Sequence, residues 1–279
     1  MKTPDGLQTE QMNVNKSRGE MIAVCSAKGG IGRTILTVNL AVALFKKNRS
    51  VAIFDGDFQF GDIGLAMDLQ APFTMKEVME GIDTIDDQSL ARYLSLHKSG
   101  VRVLPAPERP EFADLVTKEA VDKVIDLMLL QHDYVVTDMD AGLSDHSLHL
   151  IEKADHILVV TNLEMTALKN TKLLLETLDV LGFRNKARVV INRANMESVI
   201  NAEEAAAILK ESEPIYIPND FQTCSKSLNI GIPFVIGQSK TEVAKGIFKM
   251  AEFLTSTHEV MGQKPNKHHS VFSRWYKRG

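Results

Sequence analysis

The sequence lacks the cysteine pairs and the long apolar runs that mark several classes of protein. Its two cysteines, Cys25 and Cys224, stand far apart and outside any Cys-x-x-Cys pair. This spacing excludes a cysteine-rich metal or iron–sulfur site supplied by one chain, and it fits a reducing cytoplasm. No stretch approaches the ~18 apolar residues of a membrane-spanning helix, and residues 1–20 lack the apolar segment of a signal peptide. We therefore expect a cytoplasmic protein whose contact with a membrane is peripheral.

Charge and composition further limit the classes of protein to which the sequence can belong. A net charge of −4 disfavours a dedicated nucleic-acid binder, so we do not expect DNA as a partner. Hydrophobic residues make up 44% of the chain and charged residues 24%, which is enough apolar material for a substantial core. The 279 residues suit one large α/β domain or two small ones.

A glycine-rich segment, residues 28–34, carries most of the functional information. It follows an apolar run at residues 21–25 and precedes a helical pattern that starts at Thr34. In a strand, loop and helix of this kind, glycines let backbone N–H groups converge on a phosphate, and the helix N-terminus adds partial positive charge. A glycine-rich turn without a ligand is the alternative. We predict that a nucleotide polyphosphate binds at Lys28, Gly29, Gly30, Ile31, Gly32, Arg33, Thr34 and Ile35.

This segment departs from the general P-loop pattern at two positions. The pattern is glycine, any four residues, glycine, lysine and then serine or threonine, but Ala27 replaces the first glycine and Arg33 replaces the lysine. Thr34 keeps the hydroxyl that ligates Mg²⁺. Because a planar guanidinium does not have the shape of an ammonium, and because small misplacements cost ~100-fold in rate, we predict ATP binding with slow hydrolysis. Whether the chain is an enzyme in practice stays open.

Short apolar runs alternate with amphipathic segments between residues 21 and 257. Continuous apolar runs are typical of strands covered on both faces, and their alternation with helices favours a parallel sheet with right-handed crossovers. We predict an α/β fold with a doubly wound, mainly parallel sheet and helices on both faces.

The predicted domain occupies residues 21–257. Residues 1–20 are expected to form a disordered tail, and residues 258–279 a basic amphipathic tail. The predicted strands lie at 21–25, 51–55, 101–104, 134–138, 156–161, 187–192 and 215–217, and the predicted helices at 34–47, 120–130, 144–153, 167–181, 202–210 and 241–254.

Aspartates follow two of the predicted strands, at the carboxyl ends where ligands bind in such sheets. Asp138 is the predicted Walker B aspartate, and Mg²⁺ needs only one or two carboxylates beside its waters. Asp57 begins a polar loop and is predicted to orient the attacking water. Aspartates at strand ends also cap turns, which is the alternative for each of them. The predicted metal ligands are Thr34, Asp55 and Asp138, and Asp57 and Asp138 are predicted to be catalytic.

Taken together, these motifs resemble the MinD/ParA family of deviant Walker ATPases over residues 21–257. The family's loop is Lys-Gly-Gly-x-Gly-Lys-Ser/Thr, and Lys28 falls on its early signature lysine. Asp55 and Asp57 match its Asp-x-Asp, and residues 138–142 match its Walker B segment, except that Asp140 stands where proline is more usual. Further similar segments are 160–164, 189–193, 217–220 and 231–233.

The resemblance implies a P-loop NTPase that uses ATP and Mg²⁺. In this family two subunits sandwich ATP, so a homodimer is expected when ATP is bound, and Lys28 would act as a catalytic residue on the partner's phosphates. Asn192 would bond the adenine edge and Arg193 would stack on it, in a nucleotide site that also includes Pro218 and Asp220. The alternatives are a turn-capping role for Asn192 and a solvated surface charge for Arg193.

Two segments, residues 60–69 and 104–114, are most similar to the CpaE/TadZ pilus-localisation branch of the family. That branch commonly loses the P-loop lysine, which agrees with Arg33. Many of its members carry a receiver-like domain that this sequence does not show, so MinD and flagellar-number regulators stay open. We predict a switch that positions a pilus, a flagellum or the division site together with an unidentified protein partner, and a conformational change in residues 59–87.

The last residues combine basic and aromatic side chains. Residues 264–279 hold five basic residues and no acid, and their apolar residues fall on one face of a short helix. This pattern suits the anionic inner face of the cell membrane, although a basic tail without a ligand, or a strip packed on the domain, is the alternative. The predicted membrane contacts are Val271, Phe272, Arg274, Trp275, Tyr276, Lys277 and Arg278.

Three other functions stay open. A nucleotide-bound scaffold without meaningful turnover is favoured by Arg33. A DNA-associated ParA-type partition protein requires a basic surface, which the net charge of −4 does not encourage. An iron–sulfur carrier of the nitrogenase-iron-protein type requires paired cysteines, which the sequence lacks.

Overall fold

A single sheet of eight strands forms the centre of the molecule. The computed structural model describes residues 18–261, with the side chains of residues 18–256. The strands are β1 (Glu20–Ser26), β2 (Val51–Gly56), β3 (Ser95–Leu96), β4 (Arg102–Leu104), β5 (Tyr134–Ala141), β6 (His156–Thr161), β7 (Ala187–Asn192) and β8 (Ile215–Ile217). Their order across the sheet is β3-β4-β2-β5-β1-β6-β7-β8. Neighbouring strands are parallel, except that β3 is antiparallel to β4.

Helices cover both faces of this sheet. They are α1 (Arg33–Phe45), α2 (Ile63–Ala66), α3 (Met75–Glu80), α4 (Asp87–Tyr93), α5 (Lys118–Gln131), α6 (Asp145–Lys153), α7 (Met165–Val180), α8 (Ala202–Leu209), α9 (Phe221–Ile230), α10 (Phe234–Gly237) and α11 (Glu242–Met261). Ile22 and Val24 of β1 pack with α1, α10 and α11, whereas Met21, Ala23 and Cys25 pack with α5 to α8. Successive β1 residues thus face opposite layers, which explains its unbroken apolar sequence.

Helix α1 follows the glycine-rich segment and is enclosed by other elements. Every residue from Ile35 to Leu44 is buried, because the helix contacts β2, β5 and α11. A helix that is apolar on all sides belongs in a core position. The enclosure fixes the first residues of α1, Arg33 and Thr34, relative to the ends of β1, β2 and β5.

The structure confirms the predicted fold class but corrects the assumed strict alternation of strands and helices. Between β2 and β4 lie three short helices, α2, α3 and α4, and then the antiparallel strand β3. None of the four was predicted, because short elements carry too few residues for a periodic pattern. A local signal does exist at α3, where Thr74 and Glu77 form a capping box.

The first and last described elements extend slightly past the residue range predicted for the domain. β1 begins at Glu20, one residue before the predicted start, and α11 continues to Met261, beyond the predicted end at residue 257. The predicted membrane contacts at residues 271, 272 and 274–278 lie outside the described residues. Within the described part of the chain, no helix has both the length and the apolar composition needed to cross a bilayer.

Candidate functional site

The glycine-rich segment forms the turn between β1 and α1. Gly30 and Gly32 have φ angles of 74° and 97°, a region that glycine adopts most readily. A Cβ on Gly32 would lie 2.6 Å from Nδ2 of Asn192, whereas a Cβ on Gly30 would meet nothing within 4 Å. Gly32 therefore permits the close approach of β7, and Gly30 faces open space.

The N-terminus of α1 is open to an anion. Its cap residue, Gly32, offers no side chain, and its first turn contains no acidic residue. The first N–H groups of a helix have no partner within the helix and carry partial positive charge. Together with the glycine turn, this end of α1 is an arrangement that binds phosphate groups.

A cleft of about 390 Å³ lies at this turn. The predicted residues that line it are Gly30, Gly32, Arg33, Thr34, Ile35, Asp57, Asn192, Arg193, Pro218 and Asp220. Five other predicted site residues are not part of its lining, namely Lys28, Gly29, Ile31, Asp55 and Asp138. The prediction missed the wall formed by α9 and nearby loops, whose lining residues are Phe60, Asp62, Asn219, Phe221, Cys224, Ser225, Leu228 and Asn229.

A buried carboxylate lies beside the first turn of α1. Asp138 is 1% exposed and accepts hydrogen bonds from Thr34 Oγ1 at 2.6 Å and Thr37 Oγ1 at 3.1 Å. Burial raises the pKa of Asp138 to about 6, and the Thr34 hydrogen bond and the charge of Arg33 oppose that shift. The predicted pair of Thr34 and Asp138 therefore meets in the structure. Sequence analysis missed Thr37, although its i, i+3 spacing from Thr34 is a usable signal.

Asp55 holds the loop that follows β2. Its carboxylate accepts the backbone N–H of Asp57 at 3.3 Å and that of Ile63 at 3.2 Å. A Cβ on Gly61 would overlap the same carboxylate. Burial, followed by the neighbouring charge of Asp138, raises the pKa of Asp55 well above its ordinary value. These contacts give Asp55 a structural role in the loop, and its contact with a metal stays a prediction.

Arg33 is enclosed at the cleft by the ends of β1 and β2. Its side chain is 11% exposed, and Nη2 lies 3.8 Å from Asp57 Oδ2. Nη1 donates to Ser26 Oγ at 2.7 Å, and Nε is buried without a hydrogen-bond partner. Burial raises the pKa of Asp57, while the N–H of Phe60 and the charge of Arg33 oppose that shift. Sequence analysis predicted Arg33 and Asp57 but missed Ser26, which holds the guanidinium.

Lys28 bonds to the start of α7 instead of lining the cleft. Its Nζ lies 2.5 Å from Glu164 Oε2 and 3.1 Å from Thr166 Oγ1. The hydrogen bond from Lys28 lowers the pKa of Glu164. Because the two charged side chains are 40% and 47% exposed, water screens their attraction. An incoming anion can therefore replace Glu164 at little cost.

The two residues predicted to contact adenine follow one another at the end of β7. Asn192 Nδ2 donates to the carbonyl of Ile31 at 2.7 Å, and its Oδ1 accepts the N–H of Arg193 at 3.0 Å. Asn192 thus braces the glycine turn, and adenine contacts by Asn192 and Arg193 stay predictions. Asp220, another predicted site residue, caps α9 by accepting the N–H of Thr223 at 3.0 Å.

The residues at the cleft fit a nucleotide with Mg²⁺. The buried Nε–H of Arg33 lacks an acceptor, and phosphate oxygens are strong acceptors for a guanidinium. Thr34 and Asp138 place a hydroxyl oxygen and a carboxylate oxygen 2.6 Å apart, and Mg²⁺ prefers oxygen ligands of these kinds. The chain therefore supplies groups for both the phosphates and the metal.

Sequence comparison places these features in a known group. The family model described as ParA, NUBPL iron-transfer P-loop NTPase, matches residues 17–254. An uncharacterized ATP-binding protein of Methanocaldococcus jannaschii is 28% identical over 257 residues, which cover 92% of this chain and 95% of that protein. The septum site-determining protein MinD of Thermotoga maritima is 29% identical over 77% of this chain and 80% of its own. The flagellum site-determining protein YlxH of Helicobacter pylori is 25% identical over 55% of this chain and 52% of its own.

A solved structure shares the fold. The crystal structure of the cell division ATPase MinD of Pyrococcus furiosus has a TM-score of 0.76 and 26% sequence identity, and the match covers 86% of this chain and 99% of that one. The family match at residues 17–254 includes the glycine turn, the aspartates after β2 and within β5, and the wall of the cleft. The chain belongs to the ParA/MinD family of P-loop NTPases.

Proposed function

We propose that the chain binds ATP with Mg²⁺, dimerises in that state and thereby controls the position of a surface machine. The observation that carries the proposal is the cleft at the start of α1, where the glycine turn, the Arg33 cation and Thr34, which is hydrogen-bonded to Asp138, come together. A triphosphate with a divalent cation needs all three. The MinD and YlxH relatives, both named for site determination, support the positioning role.

The phosphates are proposed to bind at the N-terminus of α1. Backbone N–H groups of the turn donate to them, and Arg33 contributes a full positive charge. Thr34 and Asp138 are the residues proposed to hold Mg²⁺, which supplies charge neutralisation at the phosphate oxygens when bound. Asn192 and Arg193 also line the cleft and are proposed to contact the base.

Slow hydrolysis follows from the surroundings of Asp57. Its proposed role is to accept a hydrogen bond from the attacking water. Nη2 of Arg33 lies 3.8 Å from Oδ2 of Asp57, so the cation competes with water for this oxygen. The planar guanidinium also occupies space that an ammonium leaves free. A lysine at position 33 would also carry a positive charge, so the difference in shape is what places the water less well beside arginine.

Dimerisation with ATP is proposed to depend on Lys28. An exposed ion pair such as Lys28 with Glu164 contributes little free energy, so the phosphates bound to a second subunit can replace Glu164. The γ-phosphate adds a charge-assisted contact that ADP lacks. A ligand shifts an equilibrium only by its difference in affinity for the two states, and this contact provides such a difference.

The identity of the surface machine and the contact with the membrane are the most specific parts of the proposal. The CpaE/TadZ-like segment at residues 60–69 includes α2 and supports a pilus, whereas the MinD and YlxH relatives support the division site and the flagellum. The basic tail at residues 264–279 is proposed to bind anionic lipid. Deleting it should abolish co-sedimentation with anionic vesicles, and unchanged sedimentation would contradict this part.

A nucleotide-bound scaffold without turnover is the second candidate, because Arg33 is held beside Asp57. A phosphate-release assay separates it from an ATPase. Iron transfer, which the family model's description mentions, suits the site less well. Cys25 is buried and burial raises its pKa to about 12. Among the described residues, no three or more His, Cys, Asp or Glu side chains are grouped to hold a metal.

Size-exclusion chromatography of the full chain with ATP, with ADP and without nucleotide tests the proposal. We expect a dimer with Mg²⁺ and ATP and a monomer in the other two conditions. Lys28→Ala is the control and should stay monomeric throughout. The proposal would be contradicted if the elution volume of the wild type did not change with ATP and calorimetry detected no nucleotide binding.

A further inference from the structure

Ser26, the last residue of β1, contacts both ends of the glycine turn. It is fully buried. Its Oγ donates to the carbonyl of Lys28 at 2.8 Å and accepts from Nη1 of Arg33 at 2.7 Å. A serine hydroxyl has one donor and two acceptor positions, so one group satisfies both contacts. The hydroxyl ties the start of the turn to the first residue of α1.

The contact with Ser26 determines how the Arg33 guanidinium is oriented. A guanidinium is rigid and planar, so fixing Nη1 also fixes the direction of the other two nitrogens. Nη2 then lies 3.8 Å from Asp57 Oδ2, and Nε is buried without a partner. This orientation leaves the Nε–H unsatisfied, while the Arg33 side chain lines the nucleotide cleft.

Asp57 is the competitor for this cation. The separation of 3.8 Å between Nη2 and Oδ2 is beyond hydrogen-bond distance. Arginine and carboxylate groups form strong bidentate pairs when their geometry allows it. Without the bond to Ser26, the guanidinium would be free to turn toward Asp57 and form such a pair, which would withdraw the cation from an incoming phosphate.

We propose that Ser26 is a positioning residue that keeps Arg33 out of a bidentate pair with Asp57 and leaves its guanidinium available to a nucleotide phosphate. This inference rests on the proposed nucleotide site. It also predicts that Ser26 matters because residue 33 is arginine. A lysine ammonium carries three donors that rotate freely on a flexible stem, so it does not need a fixed plane.

A double-mutant cycle tests this dependence by calorimetric titration of Mg²⁺ and ADP into the full chain. The four proteins are the wild type, Ser26→Ala, Arg33→Lys and the double variant. Since a hydrogen bond to a charged group is lost, we expect Ser26→Ala to weaken ADP binding about tenfold in the natural background. In the Arg33→Lys background the same change should weaken binding about twofold or less.

The alternative role of Ser26 is purely structural, through its bond to the Lys28 carbonyl. That role predicts the same loss of ADP affinity in both backgrounds, and such a result would overturn the proposal. An unchanged affinity of Ser26→Ala in the natural background would also overturn it. If the wild type itself gives no binding heat, the proposed function fails. This differs from a wild type that binds ADP while Ser26→Ala weakens binding equally in both backgrounds, which overturns only the role of Ser26.

Ser227→Ala is the matched control. Ser227 is 2% exposed and donates to the carbonyl of Ile232 at 2.7 Å. Its substitution therefore removes a similar buried hydrogen bond that does not involve Arg33. Its ADP affinity should equal that of the wild type. Thermal unfolding checks that each variant folds. If Ser26→Ala does not fold, Ser26→Cys enters the same cycle, because a thiol has similar size but is a weak acceptor.

Discussion

The two ends of the glycine turn carry one cation each, and the surroundings of those cations are opposite. At the first end, Lys28 is 40% exposed and bonds to Glu164 on the surface. At the other end, Arg33 is 11% exposed and lies between Ser26 and Asp57. Exposed ion pairs exchange partners at little cost, whereas removing a buried partner is expensive. The difference supports the proposal that Lys28 takes part in switching and Arg33 in nucleotide binding.

Arg33→Lys tests the end of the glycine turn at which the cation is enclosed, and its expected effect on hydrolysis is the largest of those predicted. An ammonium at this position is more compact than a guanidinium, so under the proposal it leaves more space for the attacking water. Since misplacement of a reacting group costs up to ~100-fold, we expect phosphate release to accelerate by about ten- to a hundredfold. Equal and brisk turnover in both proteins would show that the shape of residue 33 does not limit hydrolysis.

Lys28→Ala tests the exposed end. We expect the variant to remain monomeric at ATP concentrations where the wild type dimerises, a shift of at least about tenfold for a lost charge-assisted contact. Light scattering after size exclusion measures the mass. A variant that dimerises as the wild type does would remove Lys28 from the interface.

The substitutions Gly32→Ala and Gly29→Ala compare the backbone conformation at the two ends of the glycine turn. Gly32 has a φ of 97°, and a Cβ there would meet Asn192, whereas a Cβ on Gly29 would meet nothing within 4 Å. We expect Gly32→Ala to lower the free energy of unfolding by about 1–3 kcal/mol, and Gly29→Ala to change it little. Chemical denaturation of the nucleotide-free proteins measures both, and equal losses would mean that the turn is not strained at Gly32.

Glu164→Gln should have the smallest effect, because it removes only an exposed partner of Lys28. Exposed ion pairs are worth ~0.2–1 kcal/mol, so the ATP concentration for half-dimerisation should fall about two- to threefold. Glu176→Gln, an equal charge change on the exposed side of α7, is the control. A rise in the required ATP concentration would show that Glu164 supports the dimer instead of competing with it.

Much of the fold and of the cleft was predictable because its signals are local. Unbroken apolar runs identified the parallel strands, and the glycines with Thr34 identified the turn that lies at the cleft. The same reasoning failed between β2 and β4, where the short helices have no period to detect. It also missed α9, because its sequence around Thr223 and Cys224 is mostly polar although the helix forms a wall of the cleft.

Side-chain partners in the site were harder to predict, because they depend on distances between segments far apart in sequence. Asp55 and Asp57 look alike in the sequence, yet one holds its own loop and the other faces Arg33. Asn192 was predicted to contact adenine, and the structure shows it bonded to the Ile31 carbonyl. The proposed role of Ser26 depends on how the planar guanidinium of Arg33 is oriented, which a pattern of residue types does not contain.

The most direct test is a calorimetric titration of Mg²⁺ and ADP into the wild type, Lys28→Ala and Arg33→Ala. It shows whether Arg33 contributes to nucleotide binding within one subunit and Lys28 does not. Loss of a charge-assisted contact should weaken ADP binding at least tenfold in Arg33→Ala, by about 1.4 kcal/mol or more, whereas Lys28→Ala should stay within about twofold of the wild type. Equal losses in the two variants, or a larger loss in Lys28→Ala, would contradict the account.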